Sequence, residues 1–265
     1  MDQAKKTLFV GAHPDDVFLA CAITIKRRAK NSYVLTVCNG VIEERNFPLI
    51  TGGLTFNSPK EYAKQRLEED RKAMESLGLD LDSQYINLQT SDLKTYLNLK
   101  SITDKIEKIV REKEIQIIVT HEIPQSHPDH EVACFCAHYV AQKLGLEVWE
   151  YPLYGYGSEG TEVKRQFLSK EKHNDVFFTD FTTEEVGVYE KLMKLYKTQD
   201  YILGQFKGEK EKFGRIKRDF SKPISEMKYL SFFKEVYRGL NLLTPGDVRV
   251  AILNFLKEER MNEKK

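Results

Sequence analysis

Through the first 150 residues, short apolar runs alternate with longer stretches in which apolar positions recur every three or four residues. The segments "TLFVGA" (7–12), "YVLTVC" (33–38), "QYINL" (84–88), "IQIIVT" (115–120) and "EVWEY" (147–151) are β-branched or aromatic runs of strand length. Between them the helical period predicts helices from Val17 to about Ala29, from Ser58 to Gly78, along the stripe Ile102, Ile106, Ile109 and Val110, and from about Glu131 to Leu144. Ser58-Pro59-Lys60-Glu61 reads as a capping box with proline at the first helical position, and Gly78 and Gly145 as stops. A β, α, β order of this kind predicts an α/β fold: a Rossmann-like, largely parallel sheet flanked by helices, with right-handed crossovers and the fourth strand central.

Beyond residue 160 the alternation fades. A second capping box, Thr182 to Glu185, opens a helix expected to run to about Tyr196. The stretch "KGEKEKFGRIKR" (207–218), with six basic and two acidic residues, reads as a solvated surface loop; contact with a phosphate or carboxylate on a substrate is the alternative. Two further helical segments follow, one around "FFKEVYRGL" (232–240) and one starting at Thr244-Pro245-Gly246-Asp247, before a polar tail. They form a C-terminal helical elaboration that covers the crevice, completes the core or makes a dimer contact. With no linker and no internal repeat, residues 1–265 are expected to form a single domain.

Composition narrows the function by exclusion. Forty-one basic against forty acidic residues leave a net charge of +1, which gives no electrostatic reason to bind nucleic acid or an anionic membrane. No run approaches about 18 uninterrupted apolar residues, and the first apolar run is too short for a signal-peptide core, so a cytoplasmic location is expected. Cys21, Cys38, Cys134 and Cys136 sit in apolar surroundings without CxxC spacing and read as reduced, packed thiols. Function must therefore come from a site.

Two polar clusters follow strands. His13, Asp15 and Asp16 come after the first, and His121, His127, Asp129 and His130 after the fourth. In a parallel sheet those strand ends point the same way, so residues more than a hundred positions apart meet in one crevice. Both clusters contain His-Pro-Asp, "HPDD" and "HPDH". One or two imidazoles with a carboxylate and no thiolate is a common donor set for catalytic zinc, and a neighbouring unbound carboxylate is a natural general base. An isolated HxxD or HxxH would read as a turn cap; two at like strand ends favour a metal site. Spacing alone leaves His127 and His130 open as the third ligand.

The segments "AHPDD" (12–16) and "THEIPQSHPDH" (120–130) resemble the two signatures of the zinc-dependent de-N-acetylase superfamily called PIG-L or LmbE-like, whose members deacetylate N-acetylglucosaminyl-phosphatidylinositol and the sugar precursors of mycothiol and bacillithiol. "RLEEDRKAMESLG" (66–78) and "KLYKTQ" (194–199) fit weaker motifs, so the resemblance covers about residues 5–205. It implies one zinc ion, or another divalent metal, held by His13, Asp16 and His130. It further implies Asp15 as general base and a protonated His127 as stabiliser of the oxyanion. Arg66 and Asp92 would face the sugar, a structural ion pair or a cap being the equal alternative for each, and Asp129 is expected to orient a histidine from behind or cap its loop. Val17 and Ala22-Ile23 depart from the glutamate and paired glycines of many relatives.

The reaction so implied is removal of an N-acetyl group from an N-acetylglucosamine-type sugar or sugar conjugate, a small-molecule substrate. The rivals are a metal hydrolase of the same fold acting on a non-sugar amide or thiol conjugate, and a silent sugar-binding protein. A dinucleotide protein is disfavoured because the chain's GxGxxG, Gly155 to Gly160, opens no clear apolar helix. A homo-oligomer is compatible with the sequence and not required by it.

Overall fold

The computed structural model describes residue 2 and residues 4–42, 54–123, 127–156, 162–168, 172–206, 208–221 and 243–262. A seven-stranded sheet forms the centre: β1 (Thr7–Gly11), β2 (Ser32–Cys38), β3 (Tyr85–Thr90), β4 (Ile117–His121), β5 (Glu147–Tyr151), β8 (Asp175–Asp180) and β9 (Lys210–Arg215). Its order is β3-β2-β1-β4-β5-β9-β8, so β4 is the middle strand. The first five strands in that order are parallel, and β9 and β8 close the sheet antiparallel. A separate hairpin joins β6 (Tyr154–Tyr156) to β7 (Glu162–Lys164).

Alternation along β1 sends Leu8 and Val10 into one core and Phe9 into the other. The first core is roofed by α3 (Leu99–Lys113), α4 (Pro128–Leu144) and α7 (Pro245–Asn262). On the opposite face pack α1 (Asp16–Arg27), α2 (Pro59–Ser76) and α5 (Thr183–Met193), while α6 (Asp200–Leu203) is a single turn. Both faces of the parallel strands are thus covered, which is why those strands read as apolar runs rather than as alternating ones. No helix among the described residues is long and apolar enough to cross a membrane.

The structure corrects three readings. The charged stretch 207–218 is not a loop: residues 210–215 are β9, an interior strand between β5 and β8. The inward positions of β9 are Glu211 and Phe213, both buried, so a glutamate stands where an apolar residue would have revealed the strand. β8, with Val176 and Phe178 exposed and Thr179 buried, hides itself the same way. Helix α5 ends at Met193 rather than Tyr196; the next residues form a 3-10 turn, Lys197–Gln199, in which the Thr198 hydroxyl donates to buried Glu69 and the Gln199 amide to Tyr62. At α2 the Ser58 hydroxyl accepts from Glu61 N–H, but the Glu61 carboxylate accepts from Asn57 N–H, one residue earlier than a reciprocal box requires. The box at Thr182 and Glu185 is complete. The segment 232–240, residues 124–126 of the second motif and residues 157–160 of the GxGxxG lie outside the described residues.

Candidate active site

Strands β1 and β4 are neighbours from which the parallel sheet extends in opposite directions, so the crevice at their carboxyl ends is the switch point at which α/β sheets place sites. Each HPD motif lies at the start of a helix, in a different frame. In the first, Asp15 is the N-cap and Asp16 the first residue of α1; in the second, His127 is the N-cap and Pro128 the first residue of α4. The chain turns so tightly from β1 into α1 that a Cβ on Gly11 would lie 2.7 Å from Val17 Cγ2. Asp15 is held at φ 129°, a strained conformation for a residue with a side chain.

Three atoms converge in this crevice. His13 Nδ1 lies 3.2 Å from His130 Nε2 and 3.3 Å from Asp16 Oδ2, and His130 Nε2 lies 3.4 Å from Asp16 Oδ2. A tetrahedral cation with bonds of about 2.0–2.1 Å sets its donors about 3.3–3.4 Å apart, so this triangle has the edge length of a zinc site. Asp16 is positioned by accepting from His13 N–H at 2.7 Å. Burial and the adjacent His121 push His130 down to about 3, leaving its ring neutral with a lone pair to give. His121 stacks on His130 with ring centroids 4.0 Å apart, and its Nε2 accepts from Ala12 N–H, which fixes the ring.

Behind the triangle, His13 Nε2 faces Asp92 Oδ1 at 3.2 Å and Asp129 Oδ2 at 3.5 Å. Asp129 is held in turn by Leu93 N–H at 2.8 Å and by the Thr95 hydroxyl. A carboxylate on the far nitrogen of a ligating histidine sets its tautomer and direction. Sequence reasoning missed Thr95 and the inward-facing Cys38, whose thiol donates to Ala12 O; a threonine in a polar stretch and a cysteine ending a strand carry no signal of their own.

The chain matches the PIG-L family, GlcNAc-PI de-N-acetylase, over residues 8–141, a span that contains both motifs. It belongs to the PIG-L family. It is 31% identical over 157 residues to the uncharacterized deacetylase YaiS of Escherichia coli K12, covering 55% of this chain and 75% of that protein. Among solved structures it shares its fold with the A40926 pseudoaglycone deacetylase Dbv21, at 16% identity and a TM-score of 0.64 over 82% of this chain and 99% of that one. The N,N'-diacetylchitobiose deacetylase of Pyrococcus horikoshii gives 17% identity and a TM-score of 0.54 over 80% and 84%.

In this PIG-L member Asp15 stands beside the triangle with its Oδ2 accepting from Arg66 Nη2 at 3.0 Å. Burial pushes the Asp15 carboxyl up to about 7, with the Arg66 guanidinium pulling against it. Arg66 also donates to Gly40 O and Pro14 O. Gly40, at φ 68°, leaves the room: a Cβ there would lie 2.1 Å from the guanidinium. Burial and the rings of His13 and His130 hold His127 well below its ordinary pKa. Its Nδ1 accepts from Asp129 N–H, so the neutral ring carries its proton on Nε2.

The remaining two histidines form a separate buried cluster. His138 Nε2 lies 2.9 Å from Glu150 Oε1 and His173 Nε2 3.3 Å from Glu150 Oε2, while Arg218 bonds both oxygens. Cys134, His138 and Glu150 are close enough together to hold a metal ion.

Proposed function

We propose that this protein is a metal-dependent hydrolase that removes the N-acetyl group from an N-acetylglucosamine-type sugar or sugar conjugate. The observation that carries the reading is the triangle of His13 Nδ1, Asp16 Oδ2 and His130 Nε2, with edges of 3.2–3.4 Å, beside the buried carboxyl of Asp15. Two imidazoles and one carboxylate are the donor set of a catalytic zinc site, and His13, Asp16 and His130 would hold the ion. When bound, such an ion supplies Lewis acidity, which makes water a nucleophile near neutral pH and polarises an amide carbonyl.

The rest of the chemistry belongs to the chain. Asp15, raised toward neutrality by burial, takes the proton of the attacking water and passes it toward the leaving amine. Arg66 keeps Asp15 in place and limits its basicity; its two terminal nitrogens are committed to Asp15 and to the Gly40 and Pro14 carbonyls, which favours a supporting role over direct contact with the sugar. His127 acts as a neutral donor, through Nε2, to the oxygen that gains charge. Asp92 and Asp129 orient His13 from behind, so Asp92 serves the metal more directly than the sugar hydroxyls. The sugar itself is supported by the family and by the chitobiose deacetylase that shares the fold. Four buried free thiols suit a reducing, cytoplasmic setting.

The test pairs metal content with acetate release from a panel of N-acetylglucosaminides, for the natural chain and Asp15→Asn. About one zinc per chain with acetate release, and a fall in kcat of about 10²–10⁴ in the variant with zinc retained, is the expected result. Zinc bound without acetate from any member of the panel would turn the reading toward another bond or a binding role.

A further inference from the structure

The β6–β7 hairpin stands apart from the main sheet, yet its base is fixed firmly. Leu153, just before β6, is fully buried, and Arg165, just after β7, donates its N–H to Leu153 O at 2.6 Å. The Arg165 guanidinium reaches Leu19 O of α1 at 2.8 Å and Lys210 O of β9 at 3.1 Å, and it lies over the Tyr189 ring. The hairpin is thereby tied to the helix whose first residue is Asp16. Its first residue is Tyr154.

Tyr154 is half-buried, whereas His13, Asp16 and His130 are buried, so its ring borders the crevice. The ring lies 5.1 Å from that of His130, tilted by 55°. Its Oη is 3.3 Å from His130 Nε2, the same nitrogen that forms the triangle. The phenol thus lies beside one corner of the triangle, within hydrogen-bond distance of its His130 nitrogen. Once that nitrogen gives its lone pair to a cation, His130 no longer accepts from the phenol. The O–H then needs another acceptor, and an oxygen of the bound substrate is its natural partner.

We infer that Tyr154 is a further catalytic residue: its phenolic O–H donates a hydrogen bond to the acyl oxygen of the substrate amide as that oxygen gains negative charge. No proton is transferred and no bond to the enzyme forms. The hydroxyl acts from the His130 side and complements the donor on His127. This role deepens the deacetylase reading and rests on it. A donor held rigidly before the reaction, as the anchored hairpin holds this one, stabilises developing charge without reorganisation.

The experiment compares the zinc-loaded full chain with Tyr154→Phe, which keeps the ring and removes only the hydroxyl. Three quantities are read: zinc per chain, kcat and KM for acetate release, and the calorimetric affinity for a tetrahedral methylphosphonamide analogue of the N-acetyl sugar. The expected result is unchanged zinc and melting temperature, KM within about twofold, and kcat lower by about 10²–10³, with a parallel loss of affinity for the analogue. Unchanged kcat and analogue affinity would overturn the role, leaving Tyr154 as a roof over His130. Loss of zinc would overturn it in favour of metal ligation. If the natural chain releases no acetate from any substrate, the deacetylase reading fails separately. The analogue affinity then decides for Tyr154: a difference between the two proteins upholds the donor, and equality overturns it.

Discussion

At the carboxyl ends of β1 and β4, His13, Asp16 and His130 bring two imidazole nitrogens and a carboxylate oxygen within 3.4 Å of one another; on β5, Glu150 gathers His138, Cys134 and His173 almost as tightly, with the Arg218 guanidinium in their midst. The residue types are nearly the same. What differs is the source of the positive charge. Arg218 spends two donors on Glu150 and neutralises it, so the carboxylate's charge is balanced as the chain folds. Asp16 faces imidazoles instead: His13, which Asp92, Asp129 and Asp16 hold well above its ordinary pKa against the effect of burial, and His130, which burial keeps neutral with a lone pair to give. A histidine–carboxylate cluster is therefore a structural weld where a fixed guanidinium balances the carboxylate, and stays open to a metal ion where the groups facing it are imidazoles that can give up a proton.

The weld joins regions distant in sequence. Glu150 belongs to β5 and Arg218 follows β9, and through His138 of α4 the cluster ties the last sixty residues to the stretch 8–141 that matches the family. Replacing Arg218 by Met would leave Glu150 buried with no guanidinium. We expect a loss of about 3–5 kcal/mol in urea unfolding, with zinc content at the other cluster unchanged in the folded fraction. A loss under about 1 kcal/mol would break the contrast.

Asp16→Asn tests the opposite member. It removes the only carboxylate of the triangle, and zinc affinity should fall by more than the roughly 10–100-fold typical of losing an outer partner, with the fold intact by circular dichroism. Zinc titration of the natural chain should show one tight equivalent. A second, assigned to Cys134, His138 and Glu150, would show that Arg218 does not do what its geometry implies.

A third buried carboxylate sharpens the comparison through pH. Burial alone would raise Glu150, but Arg218, with His138 and His173, holds it well below the usual carboxylate range. Its stabilising contribution is thus present above about 4.5 and lost as pH falls. Glu211 accepts from the N–H groups of Ile23 and Thr24 in α1, and burial pushes it up to about 7 from 4.5. Between those values the native chain holds the proton more tightly than the unfolded one. Its contribution is therefore present below about 4.5 and lost as pH rises through 7. Unfolding free energy should decline by up to about 2–3 kcal/mol between pH 5 and 8, and Glu211→Gln should flatten the decline. An unchanged slope would refute the assignment.

The two halves of the chain were unequally legible. Parallel strands covered on both faces must be apolar at nearly every position, so β1, β2, β4 and β5 stand out in the sequence and helices separate them. β8 and β9 were not legible because their inward positions include Thr179 and Glu211, polar residues satisfied by contacts to α1 that only the folded chain reveals. The site divides in the same way. His13, Asp15, Asp16, His127, Asp129 and His130 lie in two motifs with a shared His-Pro-Asp start, and their convergence follows from strand order. Tyr154 and Thr95 arrive from a hairpin and a 3-10 turn whose sequences do not state where they end.

By itself, then, the sequence determined the helix starts at Ser58 and Thr182, the stops at Gly78 and Gly145, the central place of β4 and the pairing of two HPD clusters in one crevice. Those features depend on local backbone preferences and on periodicity, which act within a few residues. The tertiary structure decided that a charged stretch is an interior strand, that Arg66 supports Asp15, that Asp92 stands behind His13, and that one histidine–carboxylate cluster holds an arginine while the other does not. Each of these outcomes depends on which partner meets a polar group across a hundred or so residues of chain, and a buried charge takes its meaning from that partner.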